Sequence, residues 1–335
     1  MRRVLGFLWA VLPLAGFGQL AGQQVFTSLA STPDARLAAL GGVTASLPGP
    51  EPYRAWYNPS LAPADSLPAE LSANTGFLPT GITTYHSAYS RRLAPQWRLS
   101  LGVFGVSYGT LEGRDVFGNP TGDFRAAETA FYGSLRRQLG PVRVAGTLKF
   151  VSGQLAGLSA SALAFDAGVA YTAPSGDFHL GLVGRNVGAP LSSYSEGAPV
   201  GELPLDIVLG LTYRVPKAPF RLSLSLQNLN TWVLYETGET DTRTSLGENL
   251  ARRVVVGLEI LAGSAYAIRG GYNHQRRLDL RAEGQSFGFA GLSLGAGLQL
   301  SRWGFDFGYA GFGAGGGSTH LGVGYRFSPP AGRTG

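Results

Sequence analysis

The residues of this chain that could do chemistry are few and far apart. Four histidines, His86, His179, His274 and His320, stand singly; none lies at metal-ligand spacing from another histidine or from a carboxylate cluster. Cysteine is absent, so neither a disulfide framework nor thiolate chemistry is available. A Ser–His–acid triad needs no closeness in sequence, so the histidines leave that option open, but no serine is marked as activated. Gly311-Phe312-Gly313-Ala314-Gly315-Gly316 fits G-x-G-x-x-G on paper. A dinucleotide site needs that run to open a helix, with an acidic residue downstream. Here it joins two alternating runs, which predicts a hairpin turn. The sequence therefore assigns no catalytic, cofactor-binding or metal-binding residue, and the chain reads as a non-enzyme.

The charges carry more information than the histidines. Arg143, Lys149, Arg185, Arg214, Arg221, Arg253 and Arg269 fall on the same predicted strand faces as Asp166, Asp206, Glu259 and Asp306. Buried charge is costly unless paired or wet, so two readings follow: a salt-bridged, plugged interior, or a channel with a weak preference for anions. The net charge is +6, but the basic residues are scattered and form no run with interleaved aromatics, which argues against nucleic acid.

The elements that position these charges are strands. In 203–232, Ile207, Leu209, Leu211 and Tyr213 alternate with Asp206, Gly210, Thr212 and Arg214; after a Pro-containing turn, Leu222, Leu224 and Leu226 alternate with Arg221, Ser223 and Ser225. Period-two alternation is a strand pattern, and runs near ten residues suit tilted strands that show one face to lipid and the other to a polar lumen. About fourteen such runs follow one another from residue 69 to 327. Of the 335 residues 50 are glycine and 14% are charged, which favours many strands and tight turns over a helical enzyme. Glycines on the charged faces would let the wall curve or a plug approach.

The connections alternate between short and long. Turns near 93–96, 139–140, 173–176, 216–218, 263 and 301 are short; 109–123, 153–160, 188–203, 232–251 and 275–286 are predicted as long loops. That rhythm is expected of an outer-membrane barrel with short periplasmic turns and longer outer loops. Trp97, Tyr171, Tyr213, Trp303 and Tyr325 near strand ends match an aromatic girdle.

Before the strands, Met1-Arg2-Arg3 and the apolar run 4–17 predict a signal peptide, 1–18, with cleavage between 18 and 22. Residues 19–68 do not alternate and predict a plug. Ser31-Thr32-Pro33-Asp34 offers a cap and an N1 proline for a helix near 33–40, closed by Gly41-Gly42. Residues 328–335 form a C-terminal tail.

Four segments carry a resemblance: LASTPDARLAALGGVTASLPG (29–49), YNPSLAP (57–63), LPLDIVLGLTYRVPKAPFRLSLSLQNLNTW (203–232) and HLGVGYRF (320–327). Together they resemble the PorQ group of outer-membrane proteins of the type IX secretion system, within the FadL-like barrel superfamily. The resemblance implies a fourteen-stranded barrel in the outer-membrane lipid. It also implies an anchor for a PorZ-like surface protein, in a complex with PorU and PorV. The outer loops are then the expected docking surface, with Glu236, Glu239, Asp241, Arg243, Glu248, Tyr194 and Glu196 as candidate partner-binding residues. The alternative is a FadL-like channel for hydrophobic or small solutes, which would need an apolar pocket and a route past the plug.

Overall fold

The computed structural model describes residues 24–61, 68–194, 201–231, 246–280, 288–313 and 316–327. Fourteen antiparallel strands close into a barrel: β1 Ala69–Phe77, β2 Thr83–Ala94, β3 Trp97–Arg114, β4 Pro120–Leu139, β5 Val142–Leu155, β6 Leu158–Thr172, β7 Phe178–Ser192, β8 Asp206–Arg214, β9 Phe220–Leu226, β10 Val254–Ala262, β11 Tyr266–Asn273, β12 Leu292–Gln299, β13 Trp303–Gly311 and β14 Gly317–Arg326. Each pairs with its sequence neighbours, and β1 closes the seam with β14 from Glu70↔Arg326 to Phe77↔Thr319. Closure removes every edge within the wall, which a lipid environment demands of a sheet.

Alternation sets the faces as the sequence predicts. Leu101, Phe131, Leu148, Phe165, Leu224 and Ile268 stand exposed on the outside, while Lys149, Asp166, Thr212 and Glu259 turn inward and are buried. Trp303 packs its ring 4.7 Å from that of Tyr325, and Arg137 lies over Trp97, so aromatics do mark the short-turn rim.

The wall is uneven. The strands from β3 to β7 run 14 to 20 residues, those from β8 to β14 only 7 to 10. Much of this height lies where the sequence predicted loops. β3 continues to Arg114 and β4 starts at Pro120, so the predicted loop 109–123 is mostly a two-stranded ribbon. A register shift between Ser107 and Thr110 and a left-handed Gly109 hide its alternation. Asp115 holds the tip by accepting from the amides of Phe117 and Asn119, both at 2.9 Å. The predicted loop 153–160 likewise shrinks to a turn at Ala156-Gly157. In the other direction, β9 ends at Leu226, although the following loop was predicted to begin only at 232, because Asn228 turns to φ 54°. Two loop helices were not foreseen, α2 Leu246–Arg253 and α3 His274–Asp279.

Inside the barrel runs the segment 24–61. Its one α-helix, α1 Ala35–Ala39, starts after Asp34, whose carboxylate accepts from the Leu37 amide at 2.7 Å. Asp34 is therefore the cap, and Pro33 lies before it rather than at N1. Gly41 and Gly42, at φ 94° and 91°, end the helix as expected. The segment then continues through short 3-10 turns at Pro52–Trp56 and Pro59–Leu61.

Candidate functional site

The barrel seats this segment on glycines. A Cβ at Gly308 of β13 would strike the Ala35 carbonyl, one at Gly295 of β12 would strike Ala39, and one at Gly271 of β11 would strike Leu40. On the other side, Gly181 of β7 and Gly168 of β6 leave room for Ala45 and Asn58. Inward glycines thus trace the track of the plug around the wall, because only a residue without a side chain lets two backbones come so close.

Two different fillings hold the plug on the two sides. Toward β2–β6 the filling is aromatic. Trp56, fully buried, has ring centroids 4.9 Å from Phe104, 5.3 Å from Tyr132 and 5.8 Å from His86. Such pairs each add on the order of 1 kcal/mol beyond area burial. Lys149 Nζ lies 4.2 Å from the Trp56 ring centroid and 2.7 Å from Asp166. Asn186, left-handed at φ 61° as Asn tolerates, donates its amide to Asp166 at 2.8 Å and accepts from Lys149 at 2.9 Å. The buried pair is thus tied to a backbone amide and a side-chain amide, as a buried ion pair requires.

Toward β9–β13 the filling is ionic. Glu259 of β10 receives Arg36 of α1 through Nε (2.9 Å) and Nη2 (2.8 Å), Arg221 of β9 (2.8 Å) and Arg269 of β11 (3.0 Å). Arg269 also reaches Asp306 of β13 at 2.6 Å. Within the plug, Arg36 and Arg54 meet Glu51 at 3.3 Å and 2.5 Å. Burial works to raise the Glu51 carboxyl, but the guanidinium groups of Arg54 and Arg36 prevail and bring it down to about 2. Asp34 goes the opposite way. Burial pushes it up to about 6, with its hydrogen bonds to Tyr57 and the Leu37 amide acting against the shift.

Four of the seven predicted basic lumen residues meet the predicted carboxylates: Lys149 with Asp166, Arg185 with Asp206, Arg221 with Glu259, and Arg269 with Glu259 and Asp306. Sequence reasoning missed Arg36, Glu51 and Arg54, the plug's own members of the network. They sit in irregular chain, where no period betrays a face. The histidines do not converge. His86 bonds to Tyr132, His179 to Thr172, His274 to Tyr272 and His320 to Ser318, each a hydroxyl contact. Ser318–His320, at 2.9 Å, is a Ser–His pair, but both side chains are buried in the wall. No group of three metal-ligating side chains forms among the described residues. Of the Gly311–Gly316 run, residues 314–315 lie outside the described residues; Phe312, after β13, donates its amide to the Gly316 carbonyl, before β14, at 2.8 Å.

Of the candidate partner-binding residues, Glu236, Glu239, Asp241, Arg243 and Glu196 lie outside the described residues. Glu248 is exposed on α2 and pairs with Arg252 at 2.9 Å. Tyr194 is half-buried beside Phe26, where the plug begins, with ring centroids 6.4 Å apart. It borders a cleft of about 360 Å³ on the long-loop side, lined also by Ile82, Tyr108, Leu111 and Leu155.

No family model matches the chain, and no curated protein does. Solved structures do. The Pseudomonas putida toluene transporter TodX superposes with a TM-score of 0.54 at 12% identity, over 87% of this chain and 96% of its own. The Ralstonia pickettii toluene transporter TbuX gives 0.54 at 15%, over 95% and 100%. A Pseudomonas aeruginosa FadL homologue gives 0.54 at 12%, over 92% and 100%. The chain has the fold of FadL-like outer-membrane barrels. At this identity the likeness speaks for the fold alone.

Proposed function

We propose that this chain is a non-enzymatic outer-membrane barrel that anchors a PorZ-like surface protein of the type IX secretion system, alongside PorU and PorV. The observation that carries this reading is the filled lumen. Residues 24–61 are packed between both walls, pinned on one side by the buried Arg36–Glu259 pair and on the other by Trp56 under the Lys149 ammonium, which suits a rigid platform better than an open pore. The four sequence segments that resemble the PorQ group supply the partner. On this reading the long-loop side, including α2 with Glu248, faces the partner.

A second reading is transport of hydrophobic solutes, and it is the one the fold likeness favours: two of the superposing barrels are toluene transporters. The apolar cleft beside Tyr108 and Tyr194 would be the point of entry. One experiment separates the two. Residues 236–247 and 193–201 are each replaced by a short Gly/Ser linker, barrel assembly is verified by heat-modifiable migration, and surface-bound partner and toluene uptake are both measured. Loss of the partner with unchanged uptake supports the anchor. Intact partner retention, with uptake abolished by Tyr108→Asp, overturns it in favour of transport.

A further inference from the structure

The short-turn end of the lumen holds more positive charge than its carboxylates neutralise. A cavity of about 600 Å³ opens there beside the β10–β11 turn, between the plug at Gly49–Glu51 and the wall at Arg214, Arg221 and Arg269. The cavity and the cluster behind it contain five arginines, Arg36, Arg54, Arg214, Arg221 and Arg269, against three carboxylates, Glu51, Glu259 and Asp306. All three carboxylates are already engaged by Arg36, Arg54, Arg221 and Arg269. Arg214 makes no ion pair with a described residue, and Arg221 gives only Nη1 to Glu259.

These two arginines are also direct cross-strand partners. β8 and β9 pair with Arg214 opposite Arg221, and both side chains line the cavity. Like charges placed directly opposite on one face destabilise a strand pair. An anion bridging them reverses the sign of that contribution. Two guanidinium groups offer several N–H donors to one point, which matches an oxyanion with several acceptor oxygens. A phosphate, carrying about −1.5 to −2 at neutral pH, offsets an excess of two positive charges; a single carboxylate offsets half of it.

We propose that the short-turn mouth of this barrel binds a phosphate group between Arg214 and Arg221. The inference is independent of whether the barrel anchors a partner or passes a solute. Its source is either a free phosphorylated solute or the headgroup of an anionic phospholipid at the rim.

The test uses the full chain in zwitterionic detergent at low chloride, titrated with inorganic phosphate and followed by calorimetry. Arg214→Gln is the main variant, because Arg214 is exposed and makes no ion pair with a described residue. Arg302→Gln, exposed on the same rim but outside the cavity, is the control. Saturable binding that weakens tenfold or more in Arg214→Gln and less than twofold in Arg302→Gln supports the site. Doping the micelles with phosphatidylglycerol identifies the source: competition with inorganic phosphate points to a headgroup, and its absence to a free solute. No saturable binding, or equal losses in both variants, overturns the proposal, since equal losses signify only the general field of a basic rim.

Discussion

The two sides of the plug reach similar burial by different chemistry. Toward β2–β6, one large ring, Trp56, is packed among Phe104, Tyr132 and His86, with one compact ion pair beside it. Toward β9–β13, one carboxylate, Glu259, is shared by three arginines from three elements. The aromatic side is held by area and shape, which tolerate local change in proportion to the atoms removed. The ionic side is held by mutual neutralisation, in which each member stands on all the others. The lesson is that the plug has one graded attachment and one that fails as a unit.

The sharpest way to break the contrast is Glu259→Ala. It leaves Arg36, Arg221 and Arg269 facing one another, and stability is expected to fall by about 3–5 kcal/mol, read from the denaturant midpoint of heat-modifiable migration. The counterpart on the other side, Lys149→Met with Asp166→Leu, removes a pair together and is expected to cost only what the buried Asn186 groups lose with their partners, about 1–3 kcal/mol. If both substitutions cost the same, the two attachments do not differ in kind. Trp56→Ala comes next, with an expected loss of about 3 kcal/mol in the same assay.

A smaller or equal effect separates wall from plug. Leu224→Arg faces lipid and is expected to cost about 2–4 kcal/mol if it lies near the bilayer midplane, visible as impaired assembly. Ser223→Arg faces inward near Gly257, where Leu40 of the plug lies. It is expected to raise hydrogen exchange in 24–61 while assembly persists. Equal assembly defects at both positions would contradict the assignment of faces.

The smallest effect is that of pH on the plug. The Asp34 carboxyl is raised from an ordinary value near 4 to about 6, so its contribution to seating is full below pH 4 and lost as pH rises through 6. Glu51, held at about 2, contributes above its ordinary value and is lost only as pH falls toward 2. Between pH 7 and 5 Asp34 therefore dominates this pair. Hydrogen exchange in 24–61 is expected to slow as pH falls through that window, after correction for intrinsic rates, and Asp34→Asn is expected to flatten the response.

The wall was legible in the sequence because a strand between lipid and lumen must alternate, and Leu222-Ser223-Leu224-Ser225 can be read no other way. Its charges were legible for the same reason, and so was the use of inward glycines. The top of the tall wall was not, because Gly109, Gly113, Gly118 and Gly122 interrupt the period in a ribbon wet on both faces. α2 had left a sign that could have been used: Glu248 in the first turn and Arg252 and Arg253 in the last complement the helix dipole. α3 had its cap in Asn273, which accepts from the Arg276 amide. The plug's Arg36 was beyond reach, since its partner Glu259 lies 223 residues away and no local pattern encodes that distance; Glu51 and Arg54 pair only three residues apart, but in irregular chain where no period marks them as buried.

The seam between β1 and β14 imposes an order on folding. The wall cannot close until the last strand is delivered, roughly 250 residues after the first, a loop closure that costs entropy before any seam contact repays it. α1 packs against β11–β14 and β1, the strands on either side of that seam. The plug precedes the wall in the chain, yet most of its helical seat exists only at the end. The strands that seat α1 are thus the ones that the seam joins, so the helix's full seat and the closed wall are completed together.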